Sequence, residues 1–100
     1  MEGVGLLVRL LSKPDKEQQV LNLLNVAQEM AQDEPGTSAW FGLRFSLLEF
    51  GIFGAFPDEE ARQAHLTGRI AQTLKENGDL FEETPELETA DVLAVKLPVD

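Results

Sequence analysis

Two apolar strands set back to back, followed at once by a capped helix, constrain this chain more than any other feature. Residues 37–46 alternate: Ala39, Phe41, Leu43 and Phe45 point one way, and Trp40, Gly42, Arg44 and Ser46 the other. A second strand from Glu49 to Phe56 sets Phe50, Ile52, Gly54 and Phe56 against Glu49, Gly51, Phe53 and Ala55. A short turn near Ser46–Leu48 makes the pair a hairpin, although its residues are poor turn formers. Pro57-Asp58-Glu59-Glu60 then opens a helix, with Asp58 as N-cap and two acids at the positive end of the dipole. That helix is expected to run to about Glu76 and to end at Asn77-Gly78.

The flanking segments complete the order. Gly3 to Leu11 is rich in Val and Leu and reads as a strand. Ser12-Lys13-Pro14-Asp15 suits a helix start, with Pro14 at the first helical position. Val20, Leu23, Leu24, Ala27, Met30 and Ala31 recur at helical spacing and form one buried face. Asp33-Glu34-Pro35-Gly36 stops that helix. Glu76, Asp79, Glu82, Glu83, Glu86 and Glu88 crowd a segment that reads as a solvated acidic loop, and Asp91 to Leu97 reads as a last strand ended by Pro98. The order β-α-β-β-α-β is the ferredoxin-like α+β arrangement, a four-stranded antiparallel sheet with both helices on one face. One hundred residues make one domain, residues 1–100. Every strand carries apolar residues on both sides, so the second sheet face is expected to be covered by a second copy in a homodimer.

Composition narrows the function. A net charge of −10 argues against nucleic acid and anionic membrane as partners, because phosphate contacts need clustered Lys and Arg. The chain has no Cys, which removes disulfides, thiolate nucleophiles and sulfur metal ligands, and with a single His no metal or bound cofactor is expected. With no secretory signal, a cytoplasmic location is expected. No dinucleotide fingerprint, P-loop or nucleophile elbow is present.

Candidate chemistry gathers between Trp40 and Arg69, which hold the only Trp, the only His, three of the four Arg and five of the six Phe. On a helical wheel His65 lies roughly opposite the stripe of Leu66, Ile70 and Leu74, flanked by Arg62 and Arg69 and by the small residues Ala61 and Gly68. The small residues would leave room for a ligand, and the arginines would keep His65 neutral and able to accept a proton. The plainer reading makes His65 a locally hydrogen-bonded residue and leaves the arginines solvated. The mixed face of Trp40 fits a cleft or interface better than a helix-packed core. Arg44 and Glu49 flank the turn as a cross-strand ion pair, or as groups that orient an anionic or hydroxylated substrate.

Three stretches carry a resemblance: Phe50-Gly-Ile-Phe-Gly-Ala-Phe-Pro-Asp-Glu-Glu-Ala-Arg-Gln-Ala-His-Leu, Ala39-Trp-Phe-Gly-Leu-Arg and Asp91-Val-Leu-Ala-Val-Lys-Leu-Pro. With them the chain resembles the antibiotic biosynthesis monooxygenase family over almost its whole length, and is most similar to small stand-alone bacterial members. The resemblance implies a dimeric α/β barrel of two ferredoxin-like protomers. It also implies chemistry among cofactor-independent oxygenases of polycyclic phenols, quinol oxygenases and haem-degrading enzymes. The chain departs from the polyketide-oxidising pattern in having no Tyr, and from the haem-degrading pattern in having no Asn on its first strand and its Trp on the second. His65 matches the second-helix His of the latter and carries over as candidate base. Trp40, Arg44, Phe45, Phe53 and Arg69 are the candidate substrate-binding residues, in a pocket between the sheet and the second helix. The expected activity is a monooxygenase-type oxidation of a small aromatic or quinol-like substrate. The alternative is a non-catalytic dimeric ligand-binding or stress-related module.

Overall fold

The computed structural model describes residues 3–98. β1 spans Gly3–Leu11, α1 Glu17–Gln32, β2 Ala39–Arg44, β3 Glu49–Phe56, α2 Glu59–Leu66, α3 Arg69–Glu76 and β4 Glu86–Val92, with a 3-10 turn at Gly78–Leu80. The strands form one antiparallel sheet in the order β2-β3-β1-β4. The fold is the ferredoxin-like α+β arrangement, with the helical layer on one face.

The alternation read in the hairpin decides which face meets the helices. Leu6, Val8 and Leu10 of β1 lie beside Ile52 and Phe50 of β3, and all five are buried, together with Phe56. Val20, Leu23 and Leu24 of α1 close over them, and Ala27, Ala31 and Ile70 form a second cluster bridged by Trp40 and Leu74. Each large apolar side chain so buried contributes about 1.5–3 kcal/mol relative to exposure. The opposite face is apolar too but open: Phe41 and Phe45 are each 50% exposed. On this face aromatic rings lie down on glycine. A Cβ at Gly51 would stand 2.9 Å from the Phe45 ring, so a side chain there would lift the ring off the sheet.

Four expectations need correction. First, α1 does not begin at Pro14. Residues 13–16 form a turn closed by Lys16 N–H donating to the Lys13 carbonyl (3.1 Å), with Asp15 at φ 68°. Pro at the second and a positive φ at the third position are type II turn chemistry, and Asp tolerates that region better than most residues. Lys13 N–H donates to the Leu80 carbonyl, which ties this turn to the 3-10 segment.

Second, β2 is shorter than 37–46. Arg44 is its last paired residue, opposite Phe50, and Phe45 N–H donates to the Glu49 carbonyl at the turn. Third, the second helix is two helices. Thr67 turns its hydroxyl onto the Gln63 and Ala64 carbonyls, and α3 restarts after Gly68. Asp58 does cap α2, its carboxylate accepting from Ala61 N–H at 2.9 Å.

Fourth, the last strand is Glu86–Val92, so it takes in the end of the acidic segment and only Asp91 and Val92 of the expected 91–97. The free edge of β1 sets this. Phe81 bridges to Ser12, and β4 then runs back along β1 from Glu86 opposite Arg9 to Val92 opposite Gly3, the first described residue of β1. Pairing places Glu86 and Glu88 on the open face and Leu87 and Thr89 beside Val8 and Leu6 on the helical side. No helix among the described residues is long and apolar enough to cross a membrane.

Candidate functional site

The break at Thr67-Gly68 changes which side of α2 faces inward. On one continuous helix His65 would oppose the apolar stripe. In the structure Leu66 of that stripe ends α2 while Ile70 and Leu74 lie on α3, and the buried residues of α2 are Arg62 and His65. His65 is only 7% exposed, with its ring centroid 5.0 Å from that of Phe56. It is therefore a residue of the helix–sheet interface, not of a separate helix surface.

The charge touching His65 is a carboxylate, not an arginine. Its Nδ1 lies 2.8 Å from Oε1 of Glu34, which also accepts from the Thr37 hydroxyl at 2.6 Å. Glu34 comes from the Asp33–Gly36 segment that stops α1, and the Thr37 N–H to Glu34 carbonyl bond folds that segment back (3.2 Å). Gly68 lies beside the pair: a Cβ there would press on the Ala64 carbonyl at 3.1 Å and stand in ordinary contact, 3.8 Å, with Glu34 Oε2.

Arg62 turns the other way. Its guanidinium pairs with Glu59 and donates to the carbonyls of Gly5 (3.0 Å) and Ala90 (3.3 Å), tying α2 to the β1–β4 pair. The hydrogen bond to Glu59 raises the Arg62 pKa, and the same bond, aided by Gln63, lowers that of Glu59. Arg62 is thus neither solvated nor beside the imidazole nitrogens. Ala61 does not open a ligand space, since its methyl lies 3.3 Å from where a Cβ would stand on Gly36, and Gly68 lines an open surface cleft away from His65.

Beside His65 the layers separate into a cavity of about 500 Å³. Leu6, Val8 and Ile52 form its floor, Leu66, Ile70, Ala71 and Leu74 its helical wall, and Leu87 and Pro85 its β4 side. His65, Lys75, Glu83 and Thr84 are its polar lining. The volume suits a small organic ligand, and an apolar enclosure with few polar groups is the usual form of such a site. Among the described residues, no three His, Cys, Asp or Glu are grouped to hold a metal ion.

Of the candidate catalytic and substrate-binding residues, only His65 lines this cavity. Trp40 packs between α1 and α3, where its indole N–H is buried without a hydrogen-bond partner among the described residues. Its face of the hairpin is the helix-packed one, which reverses the expectation, because Gly42 on that face lets Leu24 approach. Arg44 lies over the Phe50 ring (4.9 Å) and donates to the Ser46 and Leu47 carbonyls, so it staples the turn and makes no pair with Glu49. Glu49 instead accepts from the Ser46 hydroxyl. Phe45 and Phe53 belong to the open face, and Arg69 is exposed at the start of α3. Glu34 escaped sequence reasoning because a helix-stop acid carries no signal of its partner. Leu87 escaped because its neighbours are acidic.

No protein-family profile and no curated protein matches the chain. Solved structures do. The NE2512 protein of unknown function from Nitrosomonas europaea is 44% identical, with 100% of this chain and 98% of that one covered and a TM-score of 0.95. A second Nitrosomonas europaea protein, provisionally named an antibiotic biosynthesis monooxygenase, is 18% identical over 91% of this chain and 99% of its own, with a TM-score of 0.83. A further structure named antibiotic biosynthesis monooxygenase is 16% identical over 91% of this chain and 99% of its own, with a TM-score of 0.79. The chain belongs to the family of the Nitrosomonas europaea NE2512 protein, built on the fold of the antibiotic biosynthesis monooxygenases.

Proposed function

We propose that the protein is a monooxygenase-type oxidoreductase that oxidises a small aromatic or quinol-like substrate in the His65 cavity without a bound cofactor. The observation that carries this reading is one imidazole set in the wall of a largely apolar cavity of about 500 Å³. A hydroxylated aromatic would bury its ring against Ile52, Ile70 and Leu74 and present its hydroxyl to His65. His65 takes the hydroxyl proton as general base, which makes the ring electron-rich. The substrate then supplies all four electrons to dioxygen, the co-substrate: the O–O bond breaks, one oxygen atom replaces a ring hydrogen to leave a quinone, and the other leaves as water. The names of the structural neighbours support an oxidoreductase of this kind at the level of the fold. The test follows oxygen uptake by the purified protein with quinols and polycyclic phenols. Uptake that falls at least a hundredfold in His65→Ala is expected; no uptake with any of them, or uptake unchanged in His65→Ala, overturns the reading.

A second reading has its own observation. Trp40, Arg44, Phe45, Phe53 and Arg69 all stay away from the cavity, which leaves His65 as its one imidazole and no arginine clamp. A cytoplasmic ligand-binding module would need no more. Ligand binding without oxygen uptake favours it. In both readings we take two copies to cover the open face, where Phe41, Leu43 and Phe53 form an apolar centre and Arg9 lies across from Glu86. A pairing of that kind is self-complementary and closes under a two-fold axis.

A further inference from the structure

The segment that ends α1 reads in sequence as a stop and nothing more, yet it delivers a carboxylate to the one imidazole of the molecule. Glu34 Oε1 receives two groups, Nδ1 of His65 at 2.8 Å and the Thr37 hydroxyl at 2.6 Å. An ionised carboxylate only accepts hydrogen bonds. In a neutral ring beside an ionised carboxylate the shared proton sits on Nδ1, and Nε2 keeps its lone pair. The Thr37 hydroxyl, by donating to the same oxygen, holds the carboxylate in place. On its far side Glu34 lines a polar cleft with Gln28, Gln32, Thr37 and Ser38, so the carboxylate touches both the buried ring and a hydrophilic surface.

We propose that Glu34 is a positioning residue that fixes His65 in the Nδ1–H tautomer, so that Nε2 meets the ligand as an acceptor. The proposal deepens the reading of the cavity as a ligand site and rests on it for the ligand. It assigns the ligand a chemical requirement: a neutral, largely apolar body with one O–H or N–H donor to reach Nε2. A carboxylate placed at Nε2 would bring an acceptor to an acceptor and is disfavoured there.

The single His makes the test clean, since long-range 15N–1H spectra contain one imidazole. At a pH where the ring is neutral, the wild-type protein should show a protonated Nδ1 and a bare Nε2. Glu34→Ala should lose that pattern, and Glu34→Gln, which keeps an oxygen acceptor, should restore it. A wild-type ring protonated on Nε2 overturns the proposal, as does a Glu34→Ala protein that folds and keeps Nδ1–H. A purely packing role for Glu34 would not move the tautomer. The ligand arm uses 1-naphthol and naphthalene as probes. In the wild type 1-naphthol should shift the Nε2 resonance and naphthalene should not, and Glu34→Ala should bind 1-naphthol about tenfold more weakly, the worth of one hydrogen bond. If the tautomer responds as expected and neither probe binds, the positioning role stands and the cavity reading falls.

Discussion

The two faces of the sheet are built from the same kinds of residue and have different fates. Phe50, Ile52 and Phe56 on the helical side are each no more than 1% exposed, whereas Phe41 and Phe45 on the other side remain half exposed. Hydrophobicity alone does not separate them. What separates them is where α1, α2 and α3 lie, and the strands were equally ready to be covered on either side. The lesson is that a strand with two apolar faces predicts a covering without saying which cover comes from its own chain.

The largest effect expected from this contrast is on the helical side. Phe56→Ala removes a fully buried ring that also supports His65, and should lower stability by about 3–5 kcal/mol. Urea unfolding followed by Trp40 fluorescence measures it. Phe41→Ala on the open face should cost about 0.5 kcal/mol or less if that face is solvated, and more, with a dependence on protein concentration, if a second copy covers it. Equal losses at the two positions at every concentration would break the contrast.

Next comes the open face itself. Phe41→Glu combined with Leu43→Glu places two charges at its apolar centre. If two copies meet there, the pair should dissociate, with a loss of roughly 2 kcal/mol or more, about thirtyfold in dissociation constant. Light scattering reads this as a halved mass at micromolar concentration. A wild-type protein that already has monomer mass would remove the second copy from the account.

The fold was legible where periodicity is strong. β1, β3, the α1 face and the Asp58 cap follow from residues that a helix or strand could use in only one way. The failures share a cause. β4 was obscured because Glu86 and Glu88 look like loop, yet an edge strand tolerates charge on an open face, and only the length of free β1 edge fixes where it pairs. The break at Gly68 was obscured because Arg69 to Glu76 continues a helical pattern, and that break decides whether His65 looks inward. Trp40 and Arg44 were misplaced because face assignment needs the helices in position. Glu34 was invisible for the same reason: its partner lies 31 residues away.

A smaller effect is expected at the hairpin tip. Arg44 donates to two turn carbonyls and lies over Phe50, but it is exposed, so Arg44→Ala should cost about 1 kcal/mol in thermal unfolding. It should leave 1-naphthol binding unchanged, because Arg44 does not reach the cavity. Weakened binding without lost stability would restore Arg44 to the site and would make the hairpin tip, not the helix–sheet gap, the place where ligand enters.

The smallest effect belongs to the seam between α2 and the sheet. Glu59 holds Arg62, and Arg62 holds the carbonyls of Gly5 and Ala90, so this pair fastens the helical layer to the β1–β4 edge. The Arg62 hydrogen bond, then that of Gln63, depresses the Glu59 carboxyl below its ordinary value. A carboxyl depressed in the folded state contributes stability above its unfolded pKa of about 4.3, and loses it as pH falls through the lower folded value. Wild type should therefore exceed Glu59→Gln in melting temperature by a small constant margin from pH 5 to 8, and the margin should close below about pH 4. The Glu59 side chain is 55% exposed, so solvent and salt screen the pair and the margin should shrink further in high salt. A margin that persists at pH 3 would mean that Glu59 acts through packing rather than charge. The hold of α2 on the sheet would then be apolar, like the rest of the covered face.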